Sequence, residues 1–170
     1  MKQKSIHALF TGSFDPVTLG HEDIIRRAAA LFDTVTVGVF VNHEKQGLFT
    51  PEERVSLLQR VCAPYPNVRV CHDEGMVADF VTRNQIDVIV RSIRNEADLD
   101  YERKMAAFNK ERCEKETIFL TASDTLGHVS SSLVRAKLAG KEGIADLVPP
   151  LILEDVLKKH KLLQKKANKD

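Results

Sequence analysis

The chain has no long apolar run and only three cysteines, and each shortage bears on the class of protein. No stretch approaches the roughly 18 uninterrupted apolar residues of a membrane span, which excludes an integral membrane protein. Residues 1–5 are charged and lead into an apolar segment with no small-residue cleavage site, unlike a secretion signal. Because Cys62, Cys71 and Cys113 lack C-x-x-C and zinc spacings, we expect reduced thiols in a cytoplasmic protein.

An excess of charge of one sign is also missing. The 25 Lys and Arg residues nearly balance the 24 Asp and Glu residues, so no nucleic-acid partner is expected. Residues 158–170 are the exception, with six lysines and one aspartate. We interpret this segment as a solvated helix end with a frayed terminus, and contact with RNA or an anionic surface is the alternative. The 170 residues, 43% of them apolar, predict one domain with a substantial core.

Short β-branched runs alternate with longer helical patterns along the chain. The predicted strands are 6–11, 35–41, 68–70, 88–90 and 117–120, and the predicted helices are 21–31, 51–61, 76–84, 98–111, 131–139 and 150–161. Thr50, Pro51 and Glu53 form a strong start signal for the second helix. Apolar strands separated by helices predict a doubly wound α/β domain around a five-stranded parallel sheet. Ligands of such sheets bind beyond the carboxyl ends of the strands.

Groups suited to anion binding follow the first two strands. Residues 12–21 have a glycine near each end, and the next helix is expected to begin at Gly20–His21. Free N–H groups at a helix N-terminus attract anions, and His21 would donate a hydrogen bond to a phosphate there. An ordinary capping histidine is the alternative. Lys45 follows the second strand and, taken alone, would be a solvated surface lysine.

Further anion-binding groups follow the fourth and fifth strands. Arg91 and Arg94 suit bidentate phosphate recognition, and salt bridges to the acids of residues 98–102 are the alternative. Residues 130–132 are three serines that open a helix. The chain contains no G-x-S-x-G or H-E-x-x-H motif and no clustered carboxylates for a metal cage. The pattern indicates phosphoryl or nucleotidyl transfer by positioning and charge stabilisation.

Two motifs resemble those of a known superfamily. Thr18-Leu19-Gly20-His21 and Val129-Ser130-Ser131-Ser132-Leu133-Val134-Arg135 are similar to the T/H-x-G-H and I-S-S-S/T-x-x-R motifs of nucleotidyltransferases. Within that superfamily, residues 6–159 resemble the bacterial phosphopantetheine adenylyltransferase family through further segments in the same order: 12–16, 49–54, 91–94 and 98–102. The resemblance implies a Rossmann-like nucleotidyltransferase fold and reversible adenylyl transfer from ATP to 4′-phosphopantetheine. The products would be dephospho-coenzyme A and pyrophosphate, in coenzyme A biosynthesis.

The resemblance also implies roles for individual residues. His21 would stabilise the transition state, Lys45 and Arg91 would orient the acceptor phosphate, and Val77 would line the pantetheine arm. Ser13 would contact both substrates. The implied ATP-binding residues are Ser13, Phe14, His21, Ser92, Ile93, Arg94, Glu102, Leu126, Gly127, His128, Val129, Ser130, Ser131 and Ser132. Magnesium is expected on the substrate phosphates without a protein ligand set, and a homohexamer is expected.

Departures from the family pattern bear on affinity more than on reaction type. Ser92 stands where the family usually has glycine, and Ala122 stands where it often has proline.

One alternative function is that of another nucleotidyltransferase, a nicotinamide-mononucleotide adenylyltransferase or a cytidylyltransferase. Another is a non-catalytic nucleotide or coenzyme A sensor, which we would expect to have lost His21 or Lys45. A third alternative is a generic α/β interaction module, which would not explain why anion-binding groups follow four of the strands.

Overall fold

The computed structural model describes residues 5–40 and 47–167. Within them lie five strands: β1 His7–Gly12, β2 Thr34–Phe40, β3 Val68–Asp73, β4 Val88–Ile93 and β5 Glu116–Thr121. The α-helices of these residues are α1 Leu19–Leu31, α2 Pro51–Cys62, α3 Val77–Arg83, α4 Glu96–Cys113, α5 Ser131–Ala139 and α6 Leu153–Ala167. A short 3-10 helix, Pro150–Ile152, leads into α6.

All five strands are parallel and lie in the order β3-β2-β1-β4-β5. His7 is in register with Thr34 of β2, and Ala8 is in register with Val88 of β4. The chain winds outward from β1 to β3 and then crosses back to β4, so β1 and β4 form the topological switch point. Connections leave these two strands toward opposite faces, which opens a crevice beyond their carboxyl ends. The predicted doubly wound α/β class is confirmed.

The sheet separates two apolar cores, because alternate side chains of each strand point to opposite faces. Val35, Val37 and Val39 of β2 are fully buried on the face that carries α1, α2, α5 and α6. Leu9 and Ile89 are fully buried on the other face, against α3 and the end of α4. Both faces are covered, which explains why the central strands read as continuous apolar runs.

Capping side chains fix where the helices around the crevice begin. Thr50 and Glu53 form the predicted reciprocal capping box at the start of α2. Thr18 and His21 form a second one at α1, so that helix begins at Leu19, slightly before the predicted start. Asn95 caps α4, which therefore begins at Glu96 instead of residue 98.

The C-terminal helix extends further than the sequence pattern predicted. Helix α6 runs to Ala167, past the predicted end at residue 161, and the His160 ring hydrogen-bonds Gln164 one turn later at 2.9 Å. Lys159, assigned to the solvated tail, instead donates to the Glu53 carboxylate at 2.6 and 2.7 Å. Across residues 5–40 and 47–167, no helix is both long and apolar enough to cross a bilayer. The three cysteines are free thiols.

Candidate active site

Two adjoining clefts open at the carboxyl ends of β1 and β4. The first, the His21 cleft, has a volume of about 250 Å³ and lies between these strands and the N-termini of α1 and α5. The second, the Val77 cleft, has a volume of about 230 Å³ and lies beside α3 and α4. The residues that line both are Thr11, Gly12, Ser13, Arg91 and Glu102. A molecule bound in one cleft would therefore meet a molecule bound in the other at this shared wall.

The His21 ring is held in one orientation by the start of its own helix. Its Nδ1 accepts the Thr18 backbone N–H at 3.1 Å and lies 3.0 Å from the Thr18 hydroxyl. In the neutral ring the proton therefore resides on Nε2, which is left to act as a donor. Phe14 packs edge-on against the ring with centroids 4.9 Å apart. The capping and functional interpretations of His21 are therefore compatible, because each uses a different nitrogen.

The surroundings of His21 keep its ring uncharged. Burial, then the nearby positive charges of Arg94 and Arg91, lower the pKa of His21 to about 4. The ring is therefore neutral near pH 7, and Nε2–H can donate to an anion without giving up its proton. A fixed donor aimed at a position where negative charge develops suits transition-state stabilisation.

Arg91 occupies the wall between the two clefts and is already paired. Its Nε and Nη2 donate to the two carboxylate oxygens of Glu102 at 2.7 and 2.6 Å. Its Nη1 donates to the backbone carbonyl and, at 2.6 Å, to the hydroxyl of Thr11. Glu102 is 6% exposed, whereas the Arg91 side chain is 26% exposed. The salt-bridge alternative for Arg91 is thus realised, with one N–H of Nη2 left for a ligand.

Arg94 forms a second arginine–carboxylate pair at the mouth of the His21 cleft. Its Nε and Nη2 donate to Asp98 at 2.7 and 3.0 Å. This hydrogen bonding lowers the pKa of Asp98 and raises that of Arg94, so both groups stay charged. The Arg94 side chain remains 34% exposed. It can therefore still offer donors to an anion entering from solvent.

The three serines after β5 have three different partners. Ser130 caps α5 by accepting the Leu133 N–H at 3.1 Å. The Ser131 hydroxyl donates to the Pro16 carbonyl at 2.8 Å, which ties the serine segment to the loop after β1. Ser132 accepts a hydrogen bond from Arg135 at 3.2 Å. All three line the His21 cleft beside the N-terminus of α5, where free N–H groups favour an anion.

Arg135 is a cleft residue to which the sequence analysis gave no role. Its Nη1 donates to the Asp15 carbonyl at 2.6 Å, and its side chain lines the His21 cleft while remaining 41% exposed. Its position as the last residue of the serine motif was the signal that could have identified it. It adds a third guanidinium to the cleft wall.

The Val77 cleft has apolar sides and a polar end. Phe40, Val77 and Met105 are among its apolar lining residues. Asn109 and Thr117 contribute an amide and a hydroxyl. The Thr117 hydroxyl is buried and, among the described residues, has no hydrogen-bond partner. Such a cleft suits an elongated ligand that combines methylene and amide groups.

Most of the predicted site residues meet at the two clefts. Those lining the His21 cleft are Ser13, His21, Arg91, Ser92, Arg94, Glu102, Leu126, Val129, Ser130, Ser131 and Ser132, and Val77 lines the second cleft. Phe14 is 1% exposed and supports His21 from beneath instead of lining a cleft. Ile93, Gly127 and His128 also stand outside both linings. Lys45 lies outside the described residues.

Carboxylates that could hold a metal ion are already committed in this region. Asp98 and Glu102, the acidic residues lining the His21 cleft, are each in a bidentate pair with an arginine. Over the part of the chain that the structure describes, no group of three His, Cys, Asp or Glu side chains converges on a common point.

A parallel sheet with a ligand-sized cleft beyond its switch point places the chain in the doubly wound class of α/β proteins. Residues 9–137 match the family model described as cytidylyltransferase-like. The fold is also similar to that of a nicotinic acid mononucleotide adenylyltransferase from Plasmodium falciparum complexed with NaAD. The TM-score is 0.67 at 14% identity, over 94% of this chain and 97% of that one.

Relatives with similar sequences specify the family of this chain more closely. A phosphopantetheine adenylyltransferase of Streptomyces coelicolor is 46% identical over 147 residues, which is 86% of this chain and 92% of that protein. One from Cutibacterium acnes is 43% identical over 85% of this chain and 92% of that protein. One from Clostridium kluyveri is 43% identical over 89% and 93%. The chain belongs to the phosphopantetheine adenylyltransferase family within the cytidylyltransferase-like proteins.

Proposed function

We propose that the protein transfers the adenylyl group of ATP reversibly to 4′-phosphopantetheine, forming dephospho-coenzyme A and pyrophosphate. The observation that carries this proposal is the junction of two unlike clefts at Ser13 and Arg91. One cleft is rich in anion-binding donors and contains His21, whereas the other has apolar sides and a polar end. The names of the relatives at 41–46% identity support the same reaction. The Plasmodium falciparum enzyme is only 14% identical to this chain, so its name is no argument for a different acceptor.

ATP would occupy the His21 cleft. The free N–H groups at the starts of α1 and α5 and the serines 130–132 would bind its phosphates. Arg94 and Arg135, both partly exposed at this cleft, would add charged donors to the triphosphate. Gly20 lines the same cleft without a side chain, which leaves room for close approach of the nucleotide.

Phosphopantetheine would occupy the Val77 cleft with its phosphate at the shared wall. Val77 and Met105 would contact the methylene groups of the arm. The Asn109 amide and the unpartnered Thr117 hydroxyl would pair with the arm's amide groups. The remaining Arg91 N–H and Ser13 would face the phosphate, with Lys45 assigned to it by the family resemblance.

The reaction is proposed as a direct in-line displacement. A phosphate oxygen of the acceptor attacks the α-phosphorus of ATP and forms a new P–O bond. The bond from the α-phosphorus to the bridging oxygen breaks, and pyrophosphate leaves with that electron pair. His21 would donate its Nε2–H to a non-bridging α-phosphate oxygen, where negative charge grows. No side chain becomes covalently attached, and the His21 ring keeps its proton.

Magnesium, a hexameric assembly and a cytoplasmic location complete the proposal. Mg²⁺ would be bound by the ATP phosphates and would neutralise part of their charge, because Asp98 and Glu102 are paired with arginines. A homohexamer would appear in light scattering as a particle six times the 19.1 kDa chain mass. Free thiols agree with a reducing compartment.

The test is pyrophosphate release from ATP and Mg²⁺ with three acceptors compared in parallel. The proposal predicts release with 4′-phosphopantetheine and none with nicotinamide mononucleotide or unphosphorylated pantetheine. Release with the mononucleotide alone would retain the fold and mechanism but replace the acceptor. Folded protein that binds ATP yet releases no pyrophosphate with any acceptor would be a sensor, and the proposal would fail.

A further inference from the structure

A buried ion pair lies behind the loop that joins the two clefts. Asp15 and Arg54 are 5% and 4% exposed, and the Asp15 Oδ1 lies 3.4 Å from the Arg54 Nε. Neither residue lines the His21 cleft or the Val77 cleft. Because removing two charges from water is costly, such a pair is poor support for stability alone. Its position behind the cleft wall suggests a geometric role.

The pair holds the main chain of two separate loops. The Asp15 carboxylate accepts the backbone N–H groups of Leu48 and Phe49, each at 2.8 Å. Arg54 donates from Nε to the Phe49 carbonyl at 2.9 Å and from Nη1 to the Ser13 carbonyl at 3.1 Å. The segment before α2 and the loop after β1 are therefore joined through these two side chains.

Gly47 shows how closely this arrangement is packed. A Cβ atom at Gly47 would lie 2.0 Å from the Arg54 Nη2 and 2.7 Å from the Asp15 Oδ2. Real Cβ atoms essentially never lie within 3.0 Å of a neighbouring heavy atom. A side chain at residue 47 would therefore have to displace the ion pair, although both charges would be retained.

The pair also connects with the nucleotide side of the site. Arg135, which lines the His21 cleft, donates to the Asp15 carbonyl at 2.6 Å. Ser13, whose carbonyl is held by Arg54, lines both clefts. A shift of the pair would consequently move the wall against which the two substrates must be aligned.

We infer that Asp15 and Arg54 are positioning residues that hold Ser13 at the junction of the clefts and thereby align the two substrates for adenylyl transfer. The inference rests on the proposed function and adds residues that touch neither substrate. Misplacing reacting groups by about 1 Å can cost about 100-fold in rate, whereas binding contacts are largely kept. The loss should therefore appear in kcat and much less in KM.

The first variant is Arg54→Lys, which keeps the charge but replaces the planar fork with a single ammonium group. We expect kcat for 4′-phosphopantetheine to fall by about 10- to 100-fold, with both KM values changing by less than about threefold. Thermal unfolding is measured on the same samples. The matched control is Arg60→Lys, on the same helix, whose guanidinium pairs with Asp155 at 2.9 Å in an exposed position. Its kcat should stay within about twofold of wild type.

The second variant, Gly47→Ala, disturbs the pair without altering either charge and decides the question if Arg54→Lys does not fold. We expect a kcat loss of at least about tenfold with both KM values nearly unchanged. Gly143→Ala is its control, because a Cβ there would meet nothing within 4 Å. If folded Gly47→Ala or Arg54→Lys keeps wild-type kcat, or loses only KM, the positioning role is wrong. Failure of the wild-type protein to use phosphopantetheine would instead overturn the proposed function.

Discussion

Replacing His21 with asparagine should separate the two roles of its ring. The asparagine Oδ1 stands where Nδ1 stood, so it can still accept the Thr18 N–H that is now 3.1 Å from the ring. The capping interaction at the start of α1 is thus preserved, whereas the Nε2–H donor is lost. Removing one such donor typically costs about 100- to 1000-fold in kcat, or about 3–4 kcal/mol of transition-state stabilisation. Loss of the edge-on contact with Phe14 should reduce folding stability by only about 1 kcal/mol.

The protonation state of His21 gives a prediction that does not depend on the substrates. With a pKa of about 4, the ring would be about 3% protonated at about pH 5.5, whereas an ordinary histidine would be about 90% protonated. The folded pKa lies below the unfolded value, so between about pH 6.5 and pH 4 the unfolded chain binds the extra proton. Stability should therefore fall as pH falls through that window, by at most about 3 kcal/mol from this residue.

Nuclear magnetic resonance of the imidazole carbons measures the titration, and urea unfolding of wild type and His21→Asn measures the linked stability. His21→Asn should not show the part of the fall in folding stability at acid pH that comes from protonation of His21. His160→Asn, on α6, is the control for both kinetics and titration. A His21 resonance that titrates near its ordinary pKa would refute the assignment of His21 as an uncharged donor. A kcat of His21→Asn within about threefold of wild type would refute its role in the transition state.

Three further predictions test the site. Glu102→Gln should lower the free energy of unfolding by about 2–3 kcal/mol, because it leaves Arg91 unpaired in a half-buried position. Asp100→Asn is the control: it breaks an exposed pair with Lys104 and should cost less than about 1 kcal/mol. Urea titrations measure both. Gly20→Ala should fold normally, since the nearest protein atoms to its Cβ lie 3.6 Å away, but should raise the KM for ATP about tenfold by filling the cleft. Because the phosphates are proposed to hold Mg²⁺, the magnesium concentration for half-maximal activity should rise with the ATP concentration. A fixed midpoint would instead indicate a protein metal site.

The fold was largely predictable because periodicity and capping are local properties of the chain. The apolar runs, the Thr50 and Glu53 capping box and the spacing of the elements led to a parallel sheet covered on both faces. The rule that ligands bind beyond strand ends pointed to His21, Arg91 and Arg94, which line the His21 cleft. Helix ends were less predictable, as α6 shows, because its last turns are exposed and do not pack on the core.

Pairings between distant residues could not be predicted, because many partners of the same charge were available. The sequence offered several acids near Arg91 and did not identify Glu102, 11 positions away, as its partner. Asp15 and Arg54 lie in segments that carry the family resemblance, but nothing in the sequence indicated that they pair with each other. Phe14 was assigned to ATP, yet its backbone φ of 47° and 1% exposure accompany packing beneath His21. Such contacts depend on how the loops fold against each other.

The charges in the His21 cleft indicate that the cleft binds phosphates through the orientation of its hydrogen-bond donors more than through its net charge. Arg91 and Arg94 are each matched by a carboxylate and His21 is neutral, so Arg135 supplies most of the positive charge left among the described lining residues. What remains is a set of oriented donors: one N–H of Arg91, the Nε2–H of His21, and the free N–H groups at two helix starts. Oriented donors need little reorganisation when charge shifts from the attacking phosphate to the leaving pyrophosphate. The paired carboxylates thus fix the guanidinium planes before a substrate binds, and the buried Asp15–Arg54 pair fixes the loop between them.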